Sequence, residues 1–85
     1  MIILTNVKHV YIGFNTDHQQ KLTHITLNQI KKYYDDNEFP PGSMGPKILA
    51  AIRFLQWGGN KVIISDVDHA WEALNKETGT HITRT

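Results

Sequence analysis

Cysteine is absent from all 85 residues, which rules out a disulfide framework and a zinc–thiolate site and leaves the redox compartment unconstrained. Charge of one sign is also scarce: the formal net charge is +1. A near-neutral surface gives no electrostatic case for nucleic acid or for an anionic membrane as partner. No apolar run approaches the roughly 18 residues of a membrane span. The opening "MIILTNVKHV" has no basic n-region and an apolar run of only four residues, so it is not expected to be a signal peptide. The cytoplasm is the default expectation. Histidine is present five times, at His9, His18, His24, His69 and His81, but without ligand spacing such as H-E-x-x-H, so solvated surface is the expectation rather than a metal site. No Ser-His-Asp arrangement is supported by order or spacing either.

Eighty-five residues allow one small domain that buries somewhat more than about 60% of its unfolded surface. Ile2–Thr5, "IILT", is a continuous apolar run, which predicts a strand covered on both faces. "HVYIGF" (His9–Phe14) is a second β-rich run, and "NTDHQQK" reads as turn. "HITLNQIKKYYDD" carries a helix start, with Thr26 as N-cap, Gln29 closing a capping box and Ile25 opposite Ile30 as a hydrophobic staple. Leu27, Ile30 and Tyr34 would form its buried stripe. A second helix has Met44, Ile48, Ala51, Ile52 and Leu55 on one face and ends at Gly58-Gly59. "KVIIS" (Lys61–Ser65) predicts a buried strand. "DVDHAWEALNK" predicts a helix with Val67, Ala70, Trp71 and Leu74 on one face, and "GTHITRT" a closing strand. Strands alternating with helices argue for an α/β layer. A buried first strand needs neighbours on both edges, so Met1 is expected to lie inside a larger fold.

The chemistry concentrates in "FPPGSMGPKILAAIRF", Phe39 to Phe54. Pro40 and Pro41 fix the approach of the chain, while Gly42 and Gly45 remove side chains that would block a ligand from the backbone. Ser43 can cap the helix, and Pro46 is tolerated in its first turn. Free N–H groups at such a helix start form an anion site. Lys47 adds a cation where the helix dipole repels one, a placement that makes sense if an anion such as phosphate sits between them. The bland alternative is a first-turn lysine pointing to solvent. The pattern is not G-x-x-x-x-G-K-[ST], so P-loop mechanics do not transfer.

"FPPGSMGPKILAAIRFLQWGG" resembles the carbamate kinase version of the amino-acid kinase glycine-rich helix start, G-S-M-x-P-K followed by an alanine-rich helix and a glycine pair. "LTNVKHVYIGF" is similar to that family's "LTDVDxVYINF", and "KVIISDVDHAWEALNKETGTHI" to its last strand, helix and "GTxI" strand. The resemblance covers nearly the whole chain. It implies an α/β fold, the C-terminal ATP-binding part of an αβα sandwich, with residues 1–85 as a single partial domain. It further implies that Lys47 contacts the nucleotide phosphates and contributes to catalysis. Met44 would lie near the adenine, Gly42, Ser43 and Gly45 would admit the ligand, Tyr11 would line the nucleoside pocket, and Thr5 and Asn6 would offer adenine-side hydrogen bonds. The implied reaction is ATP plus carbamate to ADP plus carbamoyl phosphate, often run in reverse, with Mg²⁺ assisting through ligands outside this chain. The implied partners are those substrates and a missing N-terminal half or a homodimer partner. One departure stands out: Asn6 occupies a position where the family usually has Asp, so a charge is lost while hydrogen-bonding capacity stays.

Other classes stay open at this level. The chain could hold a nucleotide without chemistry, or derive from an acetylglutamate or glutamate kinase, against which Ser43 argues. It could also be an interaction protein that associates through a sheet edge. Asp66 and Asp68, two apart before a helix, read as caps rather than paired catalytic carboxylates. Asp35-Asp36 reads as a solvated turn, and Tyr33, Tyr34, Phe54, Trp57 and Trp71 as core or subunit interface.

Overall fold

The chain runs β1 (Ile2–Thr5), β2 (Val10–Ile12), β3 (Gln20–Leu22), β4 (His24–Thr26), α1 (Leu27–Asp35), α2 (Met44–Gln56), β5 (Lys61–Asp66), a 3-10 turn (Val67–His69), α3 (Ala70–Lys76) and β6 (Thr80–Thr83). This computed structural model describes residues 1–6, 9–13, 17, 19–39, 44–76 and 78–85. Four strands form one sheet in the order β1-β5-β6-β4, and β2 and β3 form a separate ribbon. β1 runs parallel to β5, with Thr5 opposite Asp66; β6 is antiparallel to β5 and parallel to β4.

The two faces of the sheet follow from the period-two alternation of strands. Val62, Ile64, Ile82 and Ile25 join Ile30, Ile48, Ala51, Ile52 and Leu55 in one core beneath α1 and α2. Ile63 and Ser65 point the other way, where α3 packs through Ala73, which is fully buried. Helices on both faces of a mostly parallel sheet make this an αβα sandwich. Among the described residues no helix is long and apolar enough to cross a membrane.

Helix ends match the expected chemistry. Thr26 Oγ1 accepts from the Gln29 backbone N–H, and Gln29 Oε1 accepts from the Thr26 N–H at 3.0 Å, completing the capping box. At the end of α2, Gly59 N–H donates to Phe54 O and Gly58 N–H to Leu55 O, the paired bonds of a Schellman close, with Gly58 at φ 110°. Asn37, at φ 62°, closes α1 in the same way: its N–H donates to Tyr34 O and the Glu38 N–H to Tyr33 O.

Several expectations are corrected. β1 is not covered on both faces: Ile2 and Leu4 are exposed, because β1 lies at the sheet edge and α3 shields only the strands beyond it. Gln20 and Lys21 belong to β3, not to a turn; their polar side chains suit a ribbon that buries only Leu22. His24 and Ile25, read with the helix start, form β4. The apolar stripe of α3 faces outward, with Val67, Trp71 and Leu74 exposed and Ala73 buried instead. Of the two places expected for Trp57 and Trp71, core or subunit interface, the core is excluded, as they are 82% and 76% exposed. His9 and His81 are buried, not solvated, and His81 stacks on His24 at 5.2 Å between ring centres. His18 lies outside the described residues.

Candidate functional site

Parallel β1 and β5 end side by side, and their C-terminal ends open onto a cavity of about 460 Å³ lined by Leu4, Thr5, Asn6, Asp66, Val67 and Asp68. In open α/β sheets, ligands bind in the crevice beyond the carboxyl ends of strands. The volume falls within the few hundred to about 1,000 Å³ typical of small-molecule sites.

Lys47, in the first turn of α2, is not among the residues lining this cavity but bonds to one of them, Thr5. Its Nζ donates to Thr5 Oγ1 at 3.1 Å, across 42 residues of sequence. Thr5 is only 7% exposed, at the last position of β1. Its hydroxyl donates in turn to Asn6 Oδ1 at 3.3 Å. The first turn of α2 has no acidic residue, so nothing in that turn neutralises the lysine. The backbone N–H groups of Met44 and Gly45 have no intrahelical acceptor at that end, and Pro46 contributes none. Lys47 and the Met44 and Gly45 N–H groups share the first turn of α2, the end of a helix that favours anions.

On the far side of the cavity, Asp66 caps the 3-10 turn: its Oδ1 accepts from His69 N–H at 3.0 Å and lies 2.6 Å from His69 Nδ1. The capping role expected for Asp66 is therefore present. What the sequence reasoning missed is that Asp66, Val67, Asp68 and Leu4 also wall the cavity. The available signal was that "IILTN" and "VIISD" both end a buried-type run in a polar pair, as parallel neighbours converging on one site do.

The remaining expected site residues are distributed around this centre. Met44 and Gly45 open α2, Gly45 buried and Met44 packed against the core. Tyr11 sits half-buried on β2 opposite Lys21 and is not among the residues lining the cavity. Gly42 and Ser43 lie outside the described residues.

The amino acid kinase family model matches residues 1–66. The chain belongs to the amino acid kinase family. Within that family its likeness is to carbamate kinases. It is 43% identical to the carbamate kinase of Thermococcus kodakarensis, covering 98% of this chain and 26% of the relative. It is 49% identical to carbamate kinase 2 of Staphylococcus aureus, covering 96% of this chain and 26% of the relative. Among solved structures, it superposes on the carbamate kinase from Giardia lamblia bound to AMP-PNP with a TM-score of 0.91 at 40% identity, over 96% of this chain and 26% of that one. The chain thus spans about a quarter of the length of the relatives it matches. The α/β sandwich is shared with the Giardia structure.

Proposed function

We propose that this chain is the C-terminal, ATP-binding segment of a carbamate kinase-type phosphotransferase, residues 1–85 being one partial domain. The observation that carries the reading is the hydrogen bond from Lys47, in a first helix turn free of acidic residues, to Thr5, a residue that lines the β1–β5 cavity. In this reading Lys47 binds the nucleotide phosphates and stabilises charge as the phosphoryl group moves, a transfer that depends mainly on positioning and electrostatics. Gly42, Ser43 and Gly45 let the polyphosphate approach the backbone, Met44 and Tyr11 contact the nucleoside, and Thr5 and Asn6 supply adenine-side hydrogen bonds. The reaction of the complete enzyme is ATP plus carbamate to ADP plus carbamoyl phosphate, in the cytoplasm.

Mg²⁺ would assist by neutralising phosphate charge. Among the described residues no group of three His, Cys, Asp or Glu side chains could hold a metal ion. Magnesium carried on phosphates needs only one or two protein carboxylates, and in this reading they lie outside this chain.

In this reading the complement of the segment docks on exposed apolar side chains. Ile2 and Leu4 on β1 and Val67, Trp71 and Leu74 after β5 are exposed, and Leu4 and Val67 both line the cavity. An edge strand beside exposed apolar side chains suits the three quarters of a carbamate kinase that this chain does not span, or a homodimer partner. The short span also favours a second reading, nucleotide binding without turnover by the chain alone.

Calorimetric titration with ADP tests the first step: wild type should bind and Lys47→Ala should lose most of the affinity. Equal binding by the two would remove the role given to Lys47. Adding a polypeptide covering the upstream part of a carbamate kinase should then restore ADP-dependent turnover of carbamoyl phosphate. Demonstrated assembly without turnover would favour the binding-only reading.

A further inference from the structure

A lysine has three donors, no acceptor and a flexible four-carbon stem, so fixing its ammonium at one point requires an acceptor that is itself fixed. Thr5 meets that requirement. It is 93% buried on a strand hydrogen-bonded to β5, and it accepts from Lys47 Nζ at 3.1 Å. The direction of the chain of bonds is set by chemistry. Lys47 can only donate, so Thr5 Oγ1 accepts with a lone pair, and its single proton goes to Asn6 Oδ1 at 3.3 Å. The relay runs Lys47 to Thr5 to Asn6 and ends on a neutral amide.

Resting on the reading of Lys47 as the phosphate-binding lysine, we infer that Thr5 is its positioning residue and that the neutral Asn6 keeps its charge available to an incoming anion. A carboxylate at position 6 would place a full negative charge one hydroxyl away from the ammonium. It would hold the lysine more firmly and offset part of the field that attracts phosphate.

Dissociation constants for ADP and adenosine, measured without Mg²⁺ on the 85-residue chain and its variants, separate these roles. Thr5→Val keeps shape and burial but removes the acceptor. It should weaken ADP roughly tenfold more than it weakens adenosine, because the phosphate contact depends on the lysine whereas an adenine-side bond of Thr5 is lost to both ligands. Thr5→Ser should restore ADP binding. Asn6→Asp should weaken ADP by roughly 3- to 10-fold and flatten its salt dependence. Equal ADP affinity in wild type and Thr5→Val, or a parallel loss for ADP and adenosine, would overturn the positioning role; Asn6→Asp binding ADP as tightly as wild type would overturn the charge role. Ligand-free NMR of the lysine side-chain ¹⁵N–H groups gives an independent readout. A hydrogen-bonded Lys47 ammonium signal should be present in wild type and Thr5→Ser and lost in Thr5→Val. If wild type binds no ADP, the nucleotide reading falls, and the NMR comparison still decides whether Thr5 positions Lys47.

Discussion

Val10 and Thr80, seventy residues apart, are joined by a buried hydrogen bond: the Val10 N–H donates to Thr80 Oγ1 at 2.8 Å. The same hydroxyl donates to Leu22 O at 2.6 Å. One side chain at the start of β6 thus ties both strands of the β2–β3 ribbon to the main sheet, and so fixes where Tyr11 stands.

Thr80→Val should expose the value of that bolt. The substitution preserves shape but leaves the Val10 N–H and the Leu22 C=O without their side-chain partner in a fully buried setting. A buried polar group left unsatisfied costs about 1–3 kcal/mol. A fall in the urea midpoint of that order, largely rescued by Thr80→Ser, is expected. A midpoint unchanged within error would mean the ribbon is held by other contacts.

The capping box of α1 makes a finer prediction. Thr26→Ala should destabilise by about 1 kcal/mol, since the Gln29 N–H loses its acceptor at a solvent-exposed helix end. Gln29→Ala should cost less, and the double variant less than the sum of the two, because the pair acts reciprocally. Strict additivity in the urea midpoints would show that the two bonds are independent.

Much of the fold was legible because its signals are local. Thr26 with Gln29, the Met44–Leu55 stripe and Gly58-Gly59 each specify structure within a few residues, and each is present. The failures share a physical cause. Periodicity tells which side chains share a face, not whether anything covers it. Val67, Trp71 and Leu74 do share a face of the turn and helix after β5, and in this chain that face meets solvent. Ile2 and Leu4 repeat the lesson on β1. The candidate site was legible on its α2 side, where Lys47 announces itself against the helix dipole. Its Asp66–Asp68 side was not, because the pairing of β1 with β5 is a contact between residues some sixty positions apart, which no local pattern encodes.

Both tryptophans should report that uncovered surface. Trp57 is 82% and Trp71 76% exposed. The folded chain should therefore fluoresce close to free tryptophan in wavelength, be quenched efficiently by acrylamide, and shift little on unfolding in urea. A blue-shifted, protected emission from the isolated monomer would contradict the placement of α3. The same emission appearing only on adding a complementary polypeptide would locate docking at Trp71, provided Trp57→Phe leaves the shift intact.

Two glycines with positive φ should respond very differently to a methyl group. Gly58, at φ 110°, ends α2 with no heavy atom within 4 Å of where a Cβ would stand. Gly58→Ala meets backbone strain alone, on the order of 1–3 kcal/mol. Gly79, at φ 89°, precedes β6, and a Cβ there would lie 2.7 Å from Ile64 O, 3.3 Å from Ser65 Cβ and 3.6 Å from Ala73 Cβ. The first of these is a backbone atom in the central strand β5, which cannot turn aside as a side chain can. Gly79→Ala therefore adds displacement of the sheet, or of α3 with its buried Ala73, to the same kind of strain. Its unfolding midpoint should fall further than that of Gly58→Ala. The loss should also weaken any ligand held beyond the ends of β1 and β5, since Ser65 and Asp66 would move with the strand. Equal midpoints for the two variants would show that β6 can shift away from Ile64 at little cost, and that the end of the sheet is less firmly fixed than the packing of Gly79 implies.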